Sequence, residues 1–285
     1  MTTERSRWSD LDRPPLNARA LREGLTRPDS LWTHLDVVAS TGSTNADLAE
    51  AARAGRARAG AVLIAEEQTA GRGRLGRTWS APPRSGLFFS ALLQPEADGV
   101  PPARLTWLPL LAGVATAAAL SRAAGVDTPL KWPNDLLVRV DGAERKAGGI
   151  LAERVEGGSG VVLGIGLNVS LTEAELPVPQ AGSLLLARAV TTDRDPLLRA
   201  VLRSLAEWYT RWTAAGGDAA EAGLLEAYAA GSATLGRPVR AELPGGGELL
   251  GEAVAVDGEG RLVVATGDGR REPLAAADIV HLRAT

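Results

Sequence analysis

The stretch from Lys131 to Val169 leaves this chain few options. Apolar runs at 129–140, 147–155 and 161–169 are separated by Asp141-Gly142 and by Gly157-Gly158-Ser159-Gly160. Asp-Gly between strand-like runs signals a tight turn, because both residues accept a positive φ at little cost. Short strands joined by short turns make a β-meander. A sheet is therefore expected at the centre of the fold, and the flanking elements must pack on it.

The meander also holds the chain's only lysines. Lys131 opens Lys131-Trp132-Pro133-Asn134-Asp135, and Lys146 lies in Arg145-Lys146-Ala147-Gly148-Gly149-Ile150-Leu151; every other basic side chain is arginine. Arginine is a wide fork, whereas lysine is a compact charge on a flexible stem. A chain that uses arginine for its ordinary surface cations keeps lysine where an ammonium must meet a phosphate or carboxylate. Two leftover surface lysines would be the bland alternative, but both sit inside a patterned segment. Asparagine is scarce too. Of Asn17, Asn45, Asn134 and Asn168, three fall in motif-like stretches: Ser43-Thr44-Asn45, Trp132-Pro133-Asn134-Asp135 and Gly164-Ile165-Gly166-Leu167-Asn168.

Composition removes several classes of chemistry. The chain has no cysteine, so disulfides, thiol catalysis and cysteine metal sites are excluded. His34 and His281 are the only histidines, which argues against a histidine metal cluster. A net charge of -3 gives no electrostatic reason to expect DNA. The first 27 residues are polar and arginine-studded, unlike a signal peptide. The longest uncharged apolar run, 105–121, contains Pro109 and falls short of the roughly 20 residues a membrane span needs. It reads as a buried helix, with no membrane partner and a cytoplasmic location expected.

Residues 1–35 read as an N-terminal arm or cover, with Pro14-Pro15 and one short helix at 17–23. Strand 35–38 leads to Ser40-Thr41-Gly42-Ser43-Thr44-Asn45 and a helix at 46–54, with Ser43 or Thr44 as N-cap. Strand 61–65 then runs into Gly71-Arg72-Gly73-Arg74-Leu75-Gly76-Arg77. The glycines satisfy the dinucleotide pattern, but Pro82-Pro83 follows where a helix should open, so that reading fails. No Gly-Lys-Ser/Thr follows either. What remains is a flexible loop whose Arg72, Arg74 and Arg77 suit an anion, followed by strand 86–93. Helices are expected at 110–124, 196–215 and 219–230, with a Pro-containing loop at 171–184. Beyond 231–235 the pattern switches to short strands with glycine turns, and 237–283 has the size of a small barrel. His281 is expected to be structural.

Taken together, the Gly71–Arg77, Lys131–Asp135, Lys146–Leu151 and Gly164–Asn168 motifs and their order resemble those of biotin protein ligases. The resemblance covers roughly residues 36–285. It implies an α+β fold: a mixed sheet with helices related to class II aminoacyl-tRNA synthetases, plus a small SH3-like β-barrel at the C-terminus. The implied division is an arm at 1–35, a catalytic biotin- and ATP-binding domain at 36–232 and a C-terminal domain at 235–285. The implied reaction joins biotin and MgATP into biotinyl-5′-AMP, then transfers biotin to a lysine of a biotin carboxyl carrier domain. Regulatory members carry an N-terminal winged helix that binds DNA, for which the arm is too short.

The resemblance also implies residue roles. Lys146, Arg72, Arg74 and Lys131 would serve catalysis. Ser43, Thr44, Asn45, Gln68, Arg72, Gly73, Arg74, Lys146 and Gly149 would bind biotin. Arg77, Trp79, Asn134, Lys146 and Asn168 would bind the nucleotide, and Asp135 is the candidate near Mg²⁺. Lys131 and Asp135 could instead pair with each other. Competing readings are a lipoate-type acyl ligase, a biotin-responsive DNA-binding regulator and a non-catalytic biotin-binding module.

Overall fold

The computed structural model describes residues 13–157 and 160–282. Residues 1–12 of the expected arm, Gly158-Ser159 of the expected turn and residues 283–285 lie outside that range. Asn17 starts α1 (Ala18–Leu25), its side chain accepting the Ala20 N–H. Leu16, Leu21, Leu25 and Trp32 are buried in the main core, so this part of the chain is built into the body of the protein. β1 (His34–Val38), α2 (Thr44–Arg53) and β2 (Ala61–Ala65) follow. The glycine-arginine loop contributes two two-residue strands, β3 (Gly71–Arg72) and β4 (Thr78–Trp79), around a 3-10 turn. β5 (Gly86–Leu93) is buried along its whole length.

α3 (Trp107–Ala124) starts before the expected residue 110. Pro109 falls in its first turn, where a missing N–H breaks no helical bond. At this length α3 is long and apolar enough to cross a membrane, contrary to the sequence expectation. Leu108, Leu111, Ala115 and Ala119 are nevertheless fully buried, and α3 packs on the sheet and on two later helices.

The expected strand 129–140 is two strands. β6 (Leu130–Lys131) and β7 (Asp135–Val140) pair antiparallel around a cis Trp132-Pro133 turn. Pro133 has no N–H to give a ladder, so the strand cannot run through it. β8 (Ala143–Arg154) begins directly after Asp141-Gly142, which places Lys146 within the strand. β9 (Val161–Asn168), α4 (Arg194–Ala214) and α5 (Leu224–Gly231) complete the large unit. α5 is shorter than expected because Gly223, at φ 69°, turns the chain just before it. β10 (Pro238–Glu242), β11 (Glu248–Val256), β12 (Leu262–Ala265), β13 (Arg271–Leu274) and β14 (Asp278–His281) form the second sheet.

The large sheet has the order β1-β2-β5-β9-β8-β7-β6, with β1 and β2 parallel and the other neighbours antiparallel. It is the mixed sheet expected. The second sheet, β13-β12-β11-β10-β14, is antiparallel throughout. Alternation divides β9: Leu163, Ile165 and Leu167 enter the main core, which also takes in residues of α3 and α4. Gly164 and Gly166 point the other way, toward Asn45 at the start of α2 and toward Trp79. A Cβ at Gly164 would lie 2.1 Å from Asn45 Oδ1, so only glycine lets α2 approach β9 this closely.

Candidate active site

A cavity of about 320 Å³ lies on the glycine face of β9. Ser43, Thr44 and Asn45 at the start of α2 line one end, and the turn from Lys131 to Asp135 lines another. Lys146, Gly149, Gly164 and Gly166 of β8 and β9 contribute to it, and Arg72, Gly73, Arg74, Arg77 and Trp79 come from the glycine-arginine loop. Asp278, Ile279 and Val280 of β14 reach it from the second sheet.

At the α2 end, the Thr44 N–H donates to Gln68 Oε1 at 2.8 Å and the Thr44 hydroxyl to the same oxygen at 3.1 Å. Two donors on one oxygen fix the amide's orientation and leave its NH2 as a donor for a ligand. Ser43 occupies the N-cap position of α2, one of the two expected, but makes no capping bond with its side chain. Its hydroxyl is thus not spent on the helix. Asn45 is engaged: Nδ2 donates to Glu153 Oε2 at 2.7 Å and to the Leu151 carbonyl at 3.3 Å, and Oδ1 accepts the Ser90 hydroxyl at 2.6 Å. It braces the wall.

At the other end, Lys146 Nζ lies 2.6 Å from Asp135 Oδ1. The pair forms because a bulge between Leu136 and Leu137 shifts the β7–β8 register. This corrects the sequence alternative of a Lys131–Asp135 pair: those two residues are backbone partners, and among the described residues Lys131 makes no ion pair. Burial lowers the Lys131 pKa, and the neighbouring Lys146 and Arg77 lower it further, while Asp135 and Asp278 oppose them. Burial also lowers that of Arg74, against the attraction of Asp278 and Asp135. Arg74 donates to Asn134 Oδ1 at 3.3 Å and to the Ala277 carbonyl at 3.4 Å. Asn134 is locked in turn, giving Nδ2 to the Ile150 carbonyl at 2.8 Å and accepting the Ile150 N–H on its backbone carbonyl at 2.9 Å.

The other two loop arginines, Arg72 and Arg77, are more exposed. Arg77 pairs with the Asp278 carboxylate of β14. Arg72 is 4.0 Å from Glu153. Trp79 has Lys146 Nζ 5.9 Å from its ring centroid, and its indole N–H is buried with no hydrogen-bond partner among the described residues. A Cβ at Gly166 would come within 3.0 Å of the indole, so β9 leaves just the space it fills.

One expected site residue lies elsewhere. Asn168 is absent from the cavity wall; its Nδ2 donates to the Gly182 carbonyl at 3.0 Å. It sits at the end of β9, beyond the glycines, and holds the following loop. Conversely, no motif announced Asp278, which lines the cavity, or Ser90 and Glu153, which stand behind its wall and hold Asn45. Asp278 lies in the glycine-rich C-terminal region, and only tertiary packing brings it to the cavity.

Lys131, Lys146, Asp135, Arg74, Arg77 and Asp278, with Asn134, thus ring one end of the cavity, while neutral donors line the other. Such a site can hold a neutral polar group and a polyanion together, and can screen a carboxylate from a phosphate.

Comparison with known proteins agrees. The family model described as the Biotin/lipoate A/B protein ligase family matches residues 37–170, and that described as the Biotin protein ligase C terminal domain matches 234–282. The chain is 43% identical to the Mycobacterium tuberculosis biotin--[acetyl-CoA-carboxylase] ligase over 95% of its own length and 97% of the relative's. It is 32% identical to the Bacillus subtilis bifunctional ligase/repressor BirA, over 93% of this chain and 78% of that protein. A solved biotin protein ligase from Aquifex aeolicus, in complex with biotin and ATP, superposes with a TM-score of 0.70 at 25% identity, over 89% of this chain and 100% of that one. The arrangement of the cavity, the two sheets and these likenesses agree: the chain belongs to the biotin protein ligase family.

Proposed function

We infer that this chain is an ATP-dependent ligase that attaches biotin to a lysine of a biotin carboxyl carrier domain. The observation that carries the reading is the placement of Lys146, Asp135, Lys131, Arg74 and Arg77 around one cavity whose far end presents neutral donors. In the first step a biotin carboxylate oxygen bonds to the α-phosphorus of ATP, the bond to the β-phosphate bridge breaks, and pyrophosphate leaves. In the second step a carrier lysine nitrogen bonds to the acyl carbon, the acyl–phosphate bond breaks, AMP leaves, and the amine gives up a proton. Both steps gather negative charge that must be screened, and neither needs a covalent enzyme intermediate.

The roles follow from chemistry and position. The Gln68 NH2 and the hydroxyls of Ser43 and Thr44 suit the ureido ring of biotin, with Gly73 and Gly149 allowing close backbone approach. Lys146 bridges the biotin carboxylate and the α-phosphate. Arg72 and Arg74 support it, with Lys131 and Arg77 on the phosphates and Trp79 and Asn134 on the nucleotide side. Asn168 serves the nucleotide by holding residue 182. Mg²⁺ fits as part of the substrate MgATP. Among the described residues no three carboxylate or histidine side chains cluster, and Asp135 and Asp278 are each already ion-paired. A metal brought by phosphates needs only one or two such carboxylates.

The division into an arm at 1–35, a catalytic domain at 36–232 and a C-terminal domain at 235–285 is retained as a proposal, with a cytoplasmic site of action. Operator binding is not assigned to this chain; sequence-dependent retardation of DNA at physiological salt would oppose that. Measuring pyrophosphate release with biotin and with lipoate, then transfer to a carrier lysine by mass spectrometry, tests the function. Release with biotin alone supports it, and release with lipoate alone replaces it with the lipoate-type reading.

A further inference from the structure

β9 pairs with β8 only from Gly148 onward, so the sheet leaves one side of β8 uncovered at Lys146. Residues 180–182 cover that side. The Lys146 N–H donates to the Gln180 carbonyl at 2.8 Å, and the Gly182 N–H donates to the Lys146 carbonyl at 2.8 Å. The backbone that carries the Lys146 amine is therefore completed by a loop. A loop gives a ladder only if something holds it in place.

Three side chains do so. Asn168 holds Gly182 at one end. Arg145, next to Lys146, grips both oxygens of Glu173 at 2.7 and 2.9 Å. The third is distant in sequence: Arg13 donates to Glu175 Oε1 at 2.9 Å, to Glu175 Oε2 at 2.6 Å and to the Ser170 carbonyl at 2.9 Å. A two-pronged guanidinium–carboxylate contact fixes orientation as well as distance. Glu175 also closes the 3-10 turn, accepting the Thr172 N–H and hydroxyl at 2.9 Å each. The Arg13 hydrogen bond is the main reason that Glu175 titrates at about 2.

Arg13 is itself anchored. The carbonyl of Pro14, its neighbour, accepts Arg194 at 2.6 Å, and Arg194 is paired with buried Glu66 at 2.6 Å. Glu66 also takes the Leu16 N–H at 2.6 Å. The arm thus grips a buried ion pair with its backbone and the loop with its Arg13 side chain. The Arg13 and Glu175 side chains are 19% and 30% exposed, so this pair is partly withdrawn from water, unlike a loose surface bridge.

We propose that Arg13 is a positioning residue for Lys146: its clamp on Glu175 and Ser170 holds residues 170–182 against β8 and so fixes the lysine beside Asp135. The functional part rests on the ligase reading above; the structural part does not. A group that must bridge two reacting anions loses rate when its backbone wanders, while binding of the distant ureido ring is spared.

Two readouts on the full chain separate these parts. The first is hydrogen exchange at the Lys146 and Gly182 amides in Arg13→Ala and Glu175→Gln, with Arg19→Ala as control. Among the described residues Arg19 pairs only with Glu23, on the exposed face of α1. Exchange at both amides is expected to quicken about tenfold in the first two variants and stay unchanged in the control. The second is biotin-dependent ATP–pyrophosphate exchange. In Arg13→Ala, kcat is expected to fall roughly tenfold with the biotin KM within about twofold. Arg13→Lys should recover only part of it, because an ammonium cannot grip both oxygens. Unchanged amide exchange in both Arg13→Ala and Glu175→Gln overturns the clamp. Faster amide exchange with unaltered kcat overturns the positioning role. A wild-type protein without pyrophosphate exchange overturns the ligase reading and leaves the amide result standing. Should Arg13→Ala fail to fold, Glu175→Gln carries both measurements.

Discussion

The two walls of the cavity are built by opposite means. Lys146, Asp135 and the glycines stand on β7, β8 and β9 and Asn134 in the turn just before β7, where ladders and side-chain bonds fix them. Arg72, Arg74, Arg77 and Trp79 ride on a segment whose regular structure is two paired dipeptides around a single 3-10 turn. That loop leans on the second sheet through Arg77–Asp278 and the Ala277 carbonyl. The sheet wall is positioned in advance of any ligand. The loop wall rests on contacts that a phosphate can replace, because Asp278 offers Arg77 the same kind of partner. A reaction that makes a hydrolysable anhydride uses both: a fixed wall to align the reactants and a movable one to exclude water.

The comparison breaks first at Lys146. Lys146→Ala is expected to slow adenylate synthesis at least a hundredfold, about 3 kcal/mol, with a smaller loss of biotin affinity. Single-turnover kinetics would show it, and Lys146→Arg should be impaired as well, since a wide fork cannot replace a compact ammonium. A wild-type rate in Lys146→Ala would mean that the sheet wall does not carry the chemistry. Next comes Gly164→Ala, whose methyl group would meet Asn45 Oδ1 and push α2 away from β9. Overpacking of this kind costs about 1–3 kcal/mol, read as a lower Tm together with weaker biotin binding by calorimetry.

The loop wall should respond more gently. Arg77 is 64% exposed, so Asp278→Asn should change stability by less than about 1 kcal/mol. Arg77→Ala should raise the ATP KM several-fold, on the order of 1 kcal/mol, with little effect on biotin binding. Equal damage from Arg77→Ala and Lys146→Ala would erase the distinction between the walls. The smallest effect expected is one of pH. Arg13, with the Thr172 contacts, lowers Glu175 from 4.5 to about 2. Its contribution to stability is therefore fully present above pH 4.5 and is lost as pH falls from 4.5 toward 2. Acid unfolding of Glu175→Gln should lack that component, so its difference from wild type should shrink across this window.

Much of the sheet wall was legible in the sequence, and much less of the contacts that close the cavity. Asp141-Gly142 announced the β7–β8 hairpin, and the scarcity of lysine singled out Lys146. Pro133 should have split the run at 129–140, since proline cannot serve a ladder there. The Lys146–Asp135 pair was hidden because it depends on a bulge, and one residue of register decides which side chains meet. Asp278 was hidden for another reason: it reaches the cavity from a separate sheet, and no local spacing records that. The resemblance implies Asn168 at the nucleotide, but a motif does not show that its side chain, past the glycines of β9, holds Gly182 and does not line the cavity. The start of α5 was misplaced because a left-handed glycine, not a polar cap, sets it.

The contrast between a fixed and a movable wall is tested most directly by hydrogen exchange across both, first in the free protein and then with biotin and MgATP. Amides of residues 148–151 and 162–166 should be protected in both states, while those of residues 71–79 should exchange quickly when free and slow by at least about tenfold when the adenylate is bound. Protection of 71–79 already complete in the free protein, or an equal change in both walls on binding, would contradict the account.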